Sequence, residues 1–599
     1  MPLTLPRKNG FYLLKRQADW LKGTEIAGPA ASGQTTAPDQ DYLAALVALM
    51  PLSAREILIC GEAALAQDYR ARNPAARLTG FGLTGKAATD ADVPAFDRFI
   101  AGDPAKLSKA RLAADAPGYD LAVLSGTLGR MAEPAALLRR LFGLIRPGGS
   151  LVVANRNSGH WRDLARLIEG RAVGHDGVSH DELEQLLTRA GFTMMRARAL
   201  RDKDRSEGAD FWLPALEGLA QNAGLDSAKQ RSRARTLHYL AVATRPEKGA
   251  LVAPPLPVHM VELAQKMDVR THIPARALDA EPALHVTTSA KRIDLPDFGP
   301  RGGLMVVQRP RISDPERILN VVADCQRRGI VLIIEYDDDP SLVARVLPRE
   351  DVPEIYARNM ALAHAVQTST EVLARQFARA NPEVMVMPNC AETLAPARTH
   401  SAGPMRVLFA ALNRTRTADM AGLLAPAIDA LGDALSFDVI HDRQFFDALP
   451  TERKQFHPLM DYADYLDLVG QADVSLMPLE GLPEELGKSD VKWVEAASRG
   501  AVAIASPAVY GETIRHGENG FLAQTPQDWP DLLISLAADP ELRSRIAAAA
   551  RAEVAQGRMM ADQVGKRRDW YLELFARRAE LFEAAIGRSP ALAERLRAG

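Results

Sequence analysis

The strongest constraint on this chain is a rhythm. Short apolar runs recur along most of its length, each followed by a segment of helical period. REILICG, YDLAVLSG and SLVVAN stand in the first part, LMVV and IVLII in the middle, and MRVLFA, DVSLMPL and AVAIAS toward the end. Apolar runs this short, closed by glycine or polar residues, are strands buried on both faces, and the amphipathic segments between them are the helices that cover them. Such alternation predicts an α/β fold of Rossmann-like, doubly wound domains. At 599 residues the chain is too long for one core, and the rhythm resolves into three such domains.

Composition places the breaks. Residues 1–40 are polar, end in GPAASGQTTAPDQ, and form a partly flexible N-terminal extension. The first domain spans 41–247, and a Pro-rich linker, 248–268, contains APPLPVH. The second domain spans 269–400 and the third 401–570, residues 571–599 are expected to cross back as a C-terminal helix, and a long amphipathic helix is read from about 569 to 586. A net charge of −2 argues against a nucleic-acid partner. The apolar runs are too short to span a bilayer, which leaves only peripheral membrane contact open. MPLTLPRKNGFYLLKRQ has charges but no apolar centre, so no secretory signal is expected. Cys60, Cys325 and Cys390 are few, distant and odd in number. They give neither a disulfide framework nor a zinc spacing, and a reducing, cytoplasmic location is expected.

In the first domain, YDLAVLSGTLGRMAEPAALLRRLFGLIRPGGSLVVANRN resembles the middle of a class I S-adenosylmethionine-dependent methyltransferase, with a Pro-Gly-Gly turn leading into a strand. VSHDELEQLLTRAGF is similar to the helix that follows in that family. The resemblance implies a methyltransferase fold over about 41–245. Its ligand-binding positions are mostly missing. ICGEAALA keeps only Gly61 of a Gly-x-Gly-x-Gly loop, and the second strand ends at Phe81 and Gly82 with no carboxylate for a ribose. The domain is therefore expected to be degenerate, and S-adenosylmethionine is not expected as a cofactor.

One stretch of the third domain concentrates polar chemistry: EELGKSDVKWVEAASRGAVAIASPAVYGETIRHGENGFL, residues 484–522. It reads as loop, helix, buried strand, turn, helix start and turn, with Lys488, Ser489, Lys492 and Glu495 at the front of the helix. Lys488 and Lys492 are four apart and Lys492 and Glu495 three apart, so they share a face. Gly500 stops the helix. Spacing alone allows a cleft for a phosphorylated, hydroxylated ligand or a solvated Lys/Glu surface. In the second domain the strand IVLIIEY ends in Asp337, Asp338 and Asp339, which reads as a cleft-facing acidic loop, a metal-binding Asp-x-Asp or a solvated turn. His457, in the helix-start sequence FHPL, reads as a capping or core histidine rather than a catalytic base, and His364 and His441 are left open between the same readings.

Two tandem α/β domains, the second carrying this stretch, resemble the GT-B retaining glycosyltransferases of bacterial surface-polysaccharide and glycoconjugate synthesis. The resemblance covers about 269–586. It rests on STEVLARQFARANPEVMVMPN, on the run from ADVSLMPL to GENGFL, and on DPELRSRIAAAAR. It implies transfer from a nucleotide-sugar donor to a glycan, lipid-linked or protein acceptor, with no cofactor and no metal required. Lys488 then neutralises the leaving diphosphate and Glu495 accepts from the ribose hydroxyls, these two being the residues on which activity depends. Asn413 and Arg414, in the loop after the third domain's first strand, face the phosphates. Ser489 and Lys492 line the donor, Tyr510 and Gly511 belong to a 509–511 turn offering backbone amides, and Asp337 and Asp338 lie on the acceptor side. The family's Glu-x7-Glu keeps its second glutamate at 495, but the first falls at Gly487, which has no side chain. Two other functions remain: a bifunctional methyltransferase and glycosyltransferase, and a non-catalytic scaffold of a glycan-assembly complex.

Overall fold

The computed structural model describes residues 38–82, 95–101, 118–171, 177–202, 207–249, 252–264, 268–347, 349–411 and 416–598. It falls into two compact units, residues up to Pro255 (71–75 excepted) and residues from Leu256 on. No helix among the described residues is long and apolar enough to cross a membrane.

The first unit holds seven strands: β1 (Glu56–Cys60), β2 (Arg77–Gly82), β3 (Arg98–Ala101), β4 (Tyr119–Ser125), β5 (Ile145–Arg156), β6 (Thr193–Arg201) and β7 (Thr236–Thr244). They lie in the order β3-β2-β1-β4-β5-β7-β6. β7 alone runs antiparallel, between β5 and β6. The helix Pro134–Leu144 buries Leu137, Leu138, Leu141 and Leu144, the spacing of one helical face. The Pro-Gly-Gly segment is no separate turn: it lies within β5, where Gly148 takes φ +79°. The chain winds outward from β1 to β3 and then returns to β4 beside β1. The crevice between the carboxyl ends of β1 and β4 is thus the switch point at which such sheets hold ligands.

The second unit carries two all-parallel sheets of six strands. One comprises β8 (Leu256–Glu262), β9 (Leu284–Ala290), β10 (Gly303–Gln308), β11 (Ile330–Glu335), β12 (Ala365–Thr368) and β13 (Val384–Val386), in the order β13-β12-β11-β10-β8-β9. The other comprises β14 (Met405–Ala410), β15 (Leu435–Ile440), β16 (Lys454–His457), β17 (Val474–Met477), β18 (Val502–Ala505) and β19 (Phe521–Leu522), in the order β16-β15-β14-β17-β18-β19. Every residue of β10, β11, β17 and β18 is buried, which is why they read as unbroken apolar runs. The switch points fall between β8 and β10 and between β14 and β17.

Two expectations change. β8 lies inside the stretch 248–268 expected as a linker, because Pro254, Pro255 and Pro257 crowd its start. From Val258 the strand is paired on both sides, with Leu304 of β10 and Val286 of β9. The return to the second domain begins at Met560 and uses three helices, Met560–Ala576, Arg578–Arg588 and Pro590–Ala598, so the expected run 569–586 is interrupted at Arg577. These helices are built into the second domain. Ala585 and Leu592 join a core with Val307 and Ile330, and Arg588 donates to the carbonyls of Ala361 (2.9 Å) and Ala363 (2.7 Å). The outgoing and returning segments are stitched together, since the Ala391 amide donates to Arg558 and the Met560 amide to Ala391, at 2.8 and 2.9 Å.

Candidate functional site

β14 and β17 border the switch point of the last sheet. Asn413 and Arg414, which follow β14 in the sequence, lie outside the described residues. The loop after β17, residues 478–490, is folded by its own polar groups. Glu485 Oε2 accepts from the amides of Gly481 (2.9 Å) and Leu482 (3.3 Å). Ser506 Oγ both accepts from and donates to the backbone of Leu479, at 2.9 Å each way. Lys488 and Ser489 belong to this loop, because the helix starts only at Val491. The expected common helix face therefore contains Lys492 and Glu495 alone.

Lys488 and Ser489 meet the second domain across the cleft. Lys488 Nζ lies 3.3 Å from Asp338 Oδ1. Asp338 and Asp337 are both held by Arg309, whose Nε donates to Asp337 Oδ1 (2.5 Å) and Nη2 to Asp338 Oδ2 (2.7 Å). Arg309 is the first residue after β10 and takes φ +50°, unusual for a side-chain-bearing residue. Burial disfavours the charge of Asp337, but the charge and hydrogen bond of Arg309, and then Arg270, outweigh it and hold the carboxyl below its usual range. Asp339 is set apart from this pair, since its Oδ1 caps the helix Pro340–Val346 by accepting from the Ser341 amide at 2.7 Å. Ser489 Oγ accepts from Asn389 Nδ2 at 2.7 Å. Gly487 precedes Lys488 and Ser489 in the loop. Thr370 Oγ1 donates to its carbonyl (3.1 Å), and a Cβ on it would lie 2.7 Å from Leu373 Cδ2 and 3.2 Å from Leu373 Cγ.

Glu495 faces another way. It is buried and accepts from Tyr462 (2.9 Å) and Tyr465 (2.7 Å), both on the helix Tyr462–Gln471. Burial pushes its carboxyl up, against the lowering effects of Lys492 and the two tyrosine hydroxyls. Lys492 Nζ stands 5.7 Å from the centre of the Tyr465 ring, within cation–π range. The start of the helix is pinned by Asp490. Its oxygens accept from Arg558 Nη1 (2.7 Å) and Nη2 (2.6 Å), and from Thr513 Oγ1 (2.7 Å).

The 509–511 turn departs from expectation. Tyr510 is buried, and the Gly511 amide is already taken by the Pro507 carbonyl at 2.8 Å. The turn closes on itself through Val509, whose φ of +68° and ψ of −50° are strained for a β-branched residue. His457 is no helix-start histidine, since it ends β16 with Nε2 2.8 Å from Asp438 Oδ1. His364 is buried in the core, where the Leu332 amide donates to its Nδ1 at 2.8 Å. Burial first, and Arg588 second, lower its pKa to about 3.

Sequence reasoning missed Tyr462, Tyr465, Arg309 and Arg558. The tyrosines carried a local signal, being three apart on one helix. Arg558 is 68 residues from Asp490, and no local pattern joins them.

In the first unit, three groups meet across the β1–β4 switch point. Ser125 Oγ, at the end of β4, donates to Glu62 Oε2 at 2.9 Å and lies 2.9 Å from Tyr42 Oη. A Cβ on Gly61 would stand 2.8 Å from Ser125 Cβ. Burial pushes the Tyr42 phenol up to about 12. Among the described residues, no group of three or more His, Cys, Asp or Glu side chains is arranged to hold a metal ion.

Residues 60–197 match a family model described as a methyltransferase domain, and residues 416–564 match one described as glycosyl transferase-like. No curated protein matches the chain. Several solved structures are similar. A point mutant of S. aureus TarM, in complex with Fondaparinux, alpha-GlcNAc-glycerol and UDP, is 11% identical over 46% of this chain and 55% of that one, with a TM-score of 0.35, so this chain spans about half its length. Anabaena Alr3699/HepE with UDP-glucose is 14% identical over 53% of this chain and 99% of that one, with a TM-score of 0.36. The N-methyltransferase NodS of Bradyrhizobium japonicum WM9 is 16% identical over 35% of this chain and 97% of that one, with a TM-score of 0.23. The first unit thus carries a segment that matches a methyltransferase domain, and the last six-stranded sheet lies largely within a segment that matches a glycosyl transferase-like domain.

Proposed function

We propose that the second unit is a retaining glycosyltransferase of the cytoplasm, moving a sugar from a nucleotide-sugar donor to a glycan, lipid-linked or protein acceptor. One observation carries this proposal. The loop and helix that bear Lys488 and Glu495 stand at the switch point of the last sheet, within the segment that matches the glycosyl transferase-like family. A departing nucleoside diphosphate needs cationic charge where its own charge develops. Lys488 is the cation on that loop, and its link to Asp338 ties its position to closure of the cleft. Arg414, four residues beyond β14 in the sequence, is its proposed companion. A carboxylate has about four acceptor positions, so Glu495 can take ribose hydroxyls beside its two tyrosine donors. Asp337 and Asp338 form the acceptor side, held rigid by Arg309. Closing the two domains over the reacting centre excludes water that would otherwise hydrolyse the donor.

For the first unit, the hydrogen bonds that join Ser125 to Glu62 and to Tyr42 fill the β1–β4 switch point with side chains, which supports a domain that does not use S-adenosylmethionine. The family match over 60–197 favours the bifunctional alternative. Calorimetry with S-adenosylmethionine decides between them: micromolar binding overturns the degenerate assignment.

The transferase assignment is tested by release of nucleoside diphosphate from a panel of nucleotide-sugars. Lys488→Ala is expected to lower kcat about 100- to 1,000-fold, the usual cost of one charge-stabilising group. Glu495→Ala is expected to weaken donor binding about 10- to 100-fold through the lost ribose bonds. If wild type and both variants are equally inert, and no nucleotide raises the melting temperature, the second unit is not a glycosyltransferase.

A further inference from the structure

The second domain carries a groove of about 710 Å3 that the proposed reaction does not use. Pro353, Ala357 and Met360 of the helix Val352–Leu362 line one part of it. Phe377 and Ala380, at and just beyond the end of the helix Glu371–Phe377, line another. These walls are apolar. Val372 lies one turn before the lining residue Gln376 on the same helix face and is exposed, which adds apolar surface beside the groove. Pro340 and Ser341 also line it, so the groove comes within two residues of Asp338 on the proposed acceptor side.

Every charged residue of the lining is an arginine: Arg358, Arg379 and Arg588. Two of them are fixed by backbone. Arg358 Nη2 donates to the carbonyls of Ile312 (3.1 Å) and Ser313 (2.7 Å), and Arg588 spends Nε and Nη2 on Ala361 and Ala363. Among the described residues, Nη1 of neither has an acceptor, and the exposed Arg379 guanidinium has none at all. No carboxylate forms an ion pair with any of the three. Asp351 acts on Arg358 and Glu383 on Arg588, but both are taken by other arginines. Asp351 accepts from Arg349 Nη2 at 2.5 Å and Glu383 from Arg577 Nη2 at 3.0 Å. Glu354 and Glu371, exposed on the two helices, pair with neither Arg358 nor Arg379.

We infer that this groove binds an amphiphilic phosphate, a phosphate ester carried on a single apolar chain. Guanidinium groups held by backbone carbonyls are already oriented, so little order is lost when an anion arrives. A phosphate monoester offers three strong acceptor oxygens, and arginine is the side chain whose donor geometry fits them. The apolar walls between the arginines suit the chain, and each methylene they bury is worth about fourfold in affinity. Phosphate without a chain leaves the walls unused, and a neutral chain leaves the open donors unused. The inference does not depend on the transferase assignment.

The test is calorimetry of the full chain with octyl phosphate, hexyl phosphate, 1-octanol and inorganic phosphate, each below the concentration at which it aggregates. Octyl phosphate is expected to bind about tenfold more tightly than hexyl phosphate and at least about tenfold more tightly than 1-octanol. Inorganic phosphate at 1 mM is expected to give no heat of binding. Arg379→Glu reverses an exposed charge and is expected to weaken octyl phosphate about tenfold or more. Ala357→Trp fills the groove from an exposed helix position and is expected to abolish binding. The two variants act at separate positions, so one that fails to fold leaves the other to decide. Octyl phosphate bound no more tightly than 1-octanol, inorganic phosphate bound as tightly as octyl phosphate, or undiminished binding in a folded variant overturns the inference.

Discussion

At the scale of single residues, burial sets charge against stability. Glu495 is an acid raised by burial despite the lowering effects of Lys492, Tyr465, Tyr462 and Arg499. A raised carboxyl contributes stability that is fully present below its unfolded pKa of about 4.3 and is lost as pH rises through the folded pKa. At neutral pH its charge is therefore a cost. Glu495→Gln is expected to raise Tm by about 2 °C at pH 7 and to lose that advantage near pH 4, while weakening donor binding about tenfold because one amide oxygen replaces two charged acceptors. Equal melting curves for the two proteins at pH 7 would contradict this. His364 shifts the opposite way. Its pKa of about 3 means that the folded state refuses a proton that the unfolded chain accepts below about 6.5. Stability is untouched above that value and falls with decreasing pH down to about 3, by roughly 1.4 kcal/mol per pH unit. In His364→Gln, denaturant unfolding measured between pH 6 and 4 should show an acid slope shallower by about that amount. An unchanged slope would place the acid sensitivity elsewhere.

At the scale of elements, what could be read from the sequence divides by the range of the physics involved. Parallel strands such as IVLIIE are buried on both faces, so local apolarity reveals them, and the three-sheet architecture follows from their repetition. β8 was hidden because prolines at its start resemble a linker, whereas its assignment depends on pairing with β9 and β10. Lys488 and Glu495 could be singled out because they sit in one short stretch. Their partners could not, because Asp338, Tyr462 and Tyr465 arrive from other elements. The helix Val491–Arg499 illustrates the difference. Asp490 precedes it without capping it, and its carboxylate is instead clamped by Arg558 and Thr513. Burial opposes ionisation of Asp490, but the hydrogen bonds and charge of Arg558 hold its carboxyl below the usual range. Arg558→Met leaves that carboxylate buried with one remaining side-chain donor, and should destabilise the last domain by about 2–4 kcal/mol. Because the helix start follows the loop proposed to hold the donor, KM for the nucleotide-sugar should rise more than kcat falls. Denaturant melts and steady-state kinetics read both effects, and a loss of stability with unchanged KM would separate the clamp from the donor loop.

At the scale of the whole second unit, closure of the two domains is written into one glycine. Gly487 lies where the loop 478–490 meets the second domain, and its neighbour Leu373 is fully buried in a core with Tyr336, Tyr356 and Phe377. Leu373 therefore has little freedom to yield to a new methyl group. A larger side chain at 487 would have to enter that core before the Lys488–Asp338 and Ser489–Asn389 links could form. Gly487→Ala should thus favour the open arrangement: kcat should fall about tenfold, donor affinity should change little, and global stability should drop by about 1 kcal/mol. Leu373→Ala creates a cavity costing about 2–4 kcal/mol on its own. It also makes room for the added methyl, so the double variant should recover much of the kcat lost in Gly487→Ala. A double-mutant cycle on kcat measures this directly. A coupling energy of about 0.5 kcal/mol or more is expected if the two residues meet in the closed state, and strict additivity would mean that Gly487 is required for a reason other than domain closure.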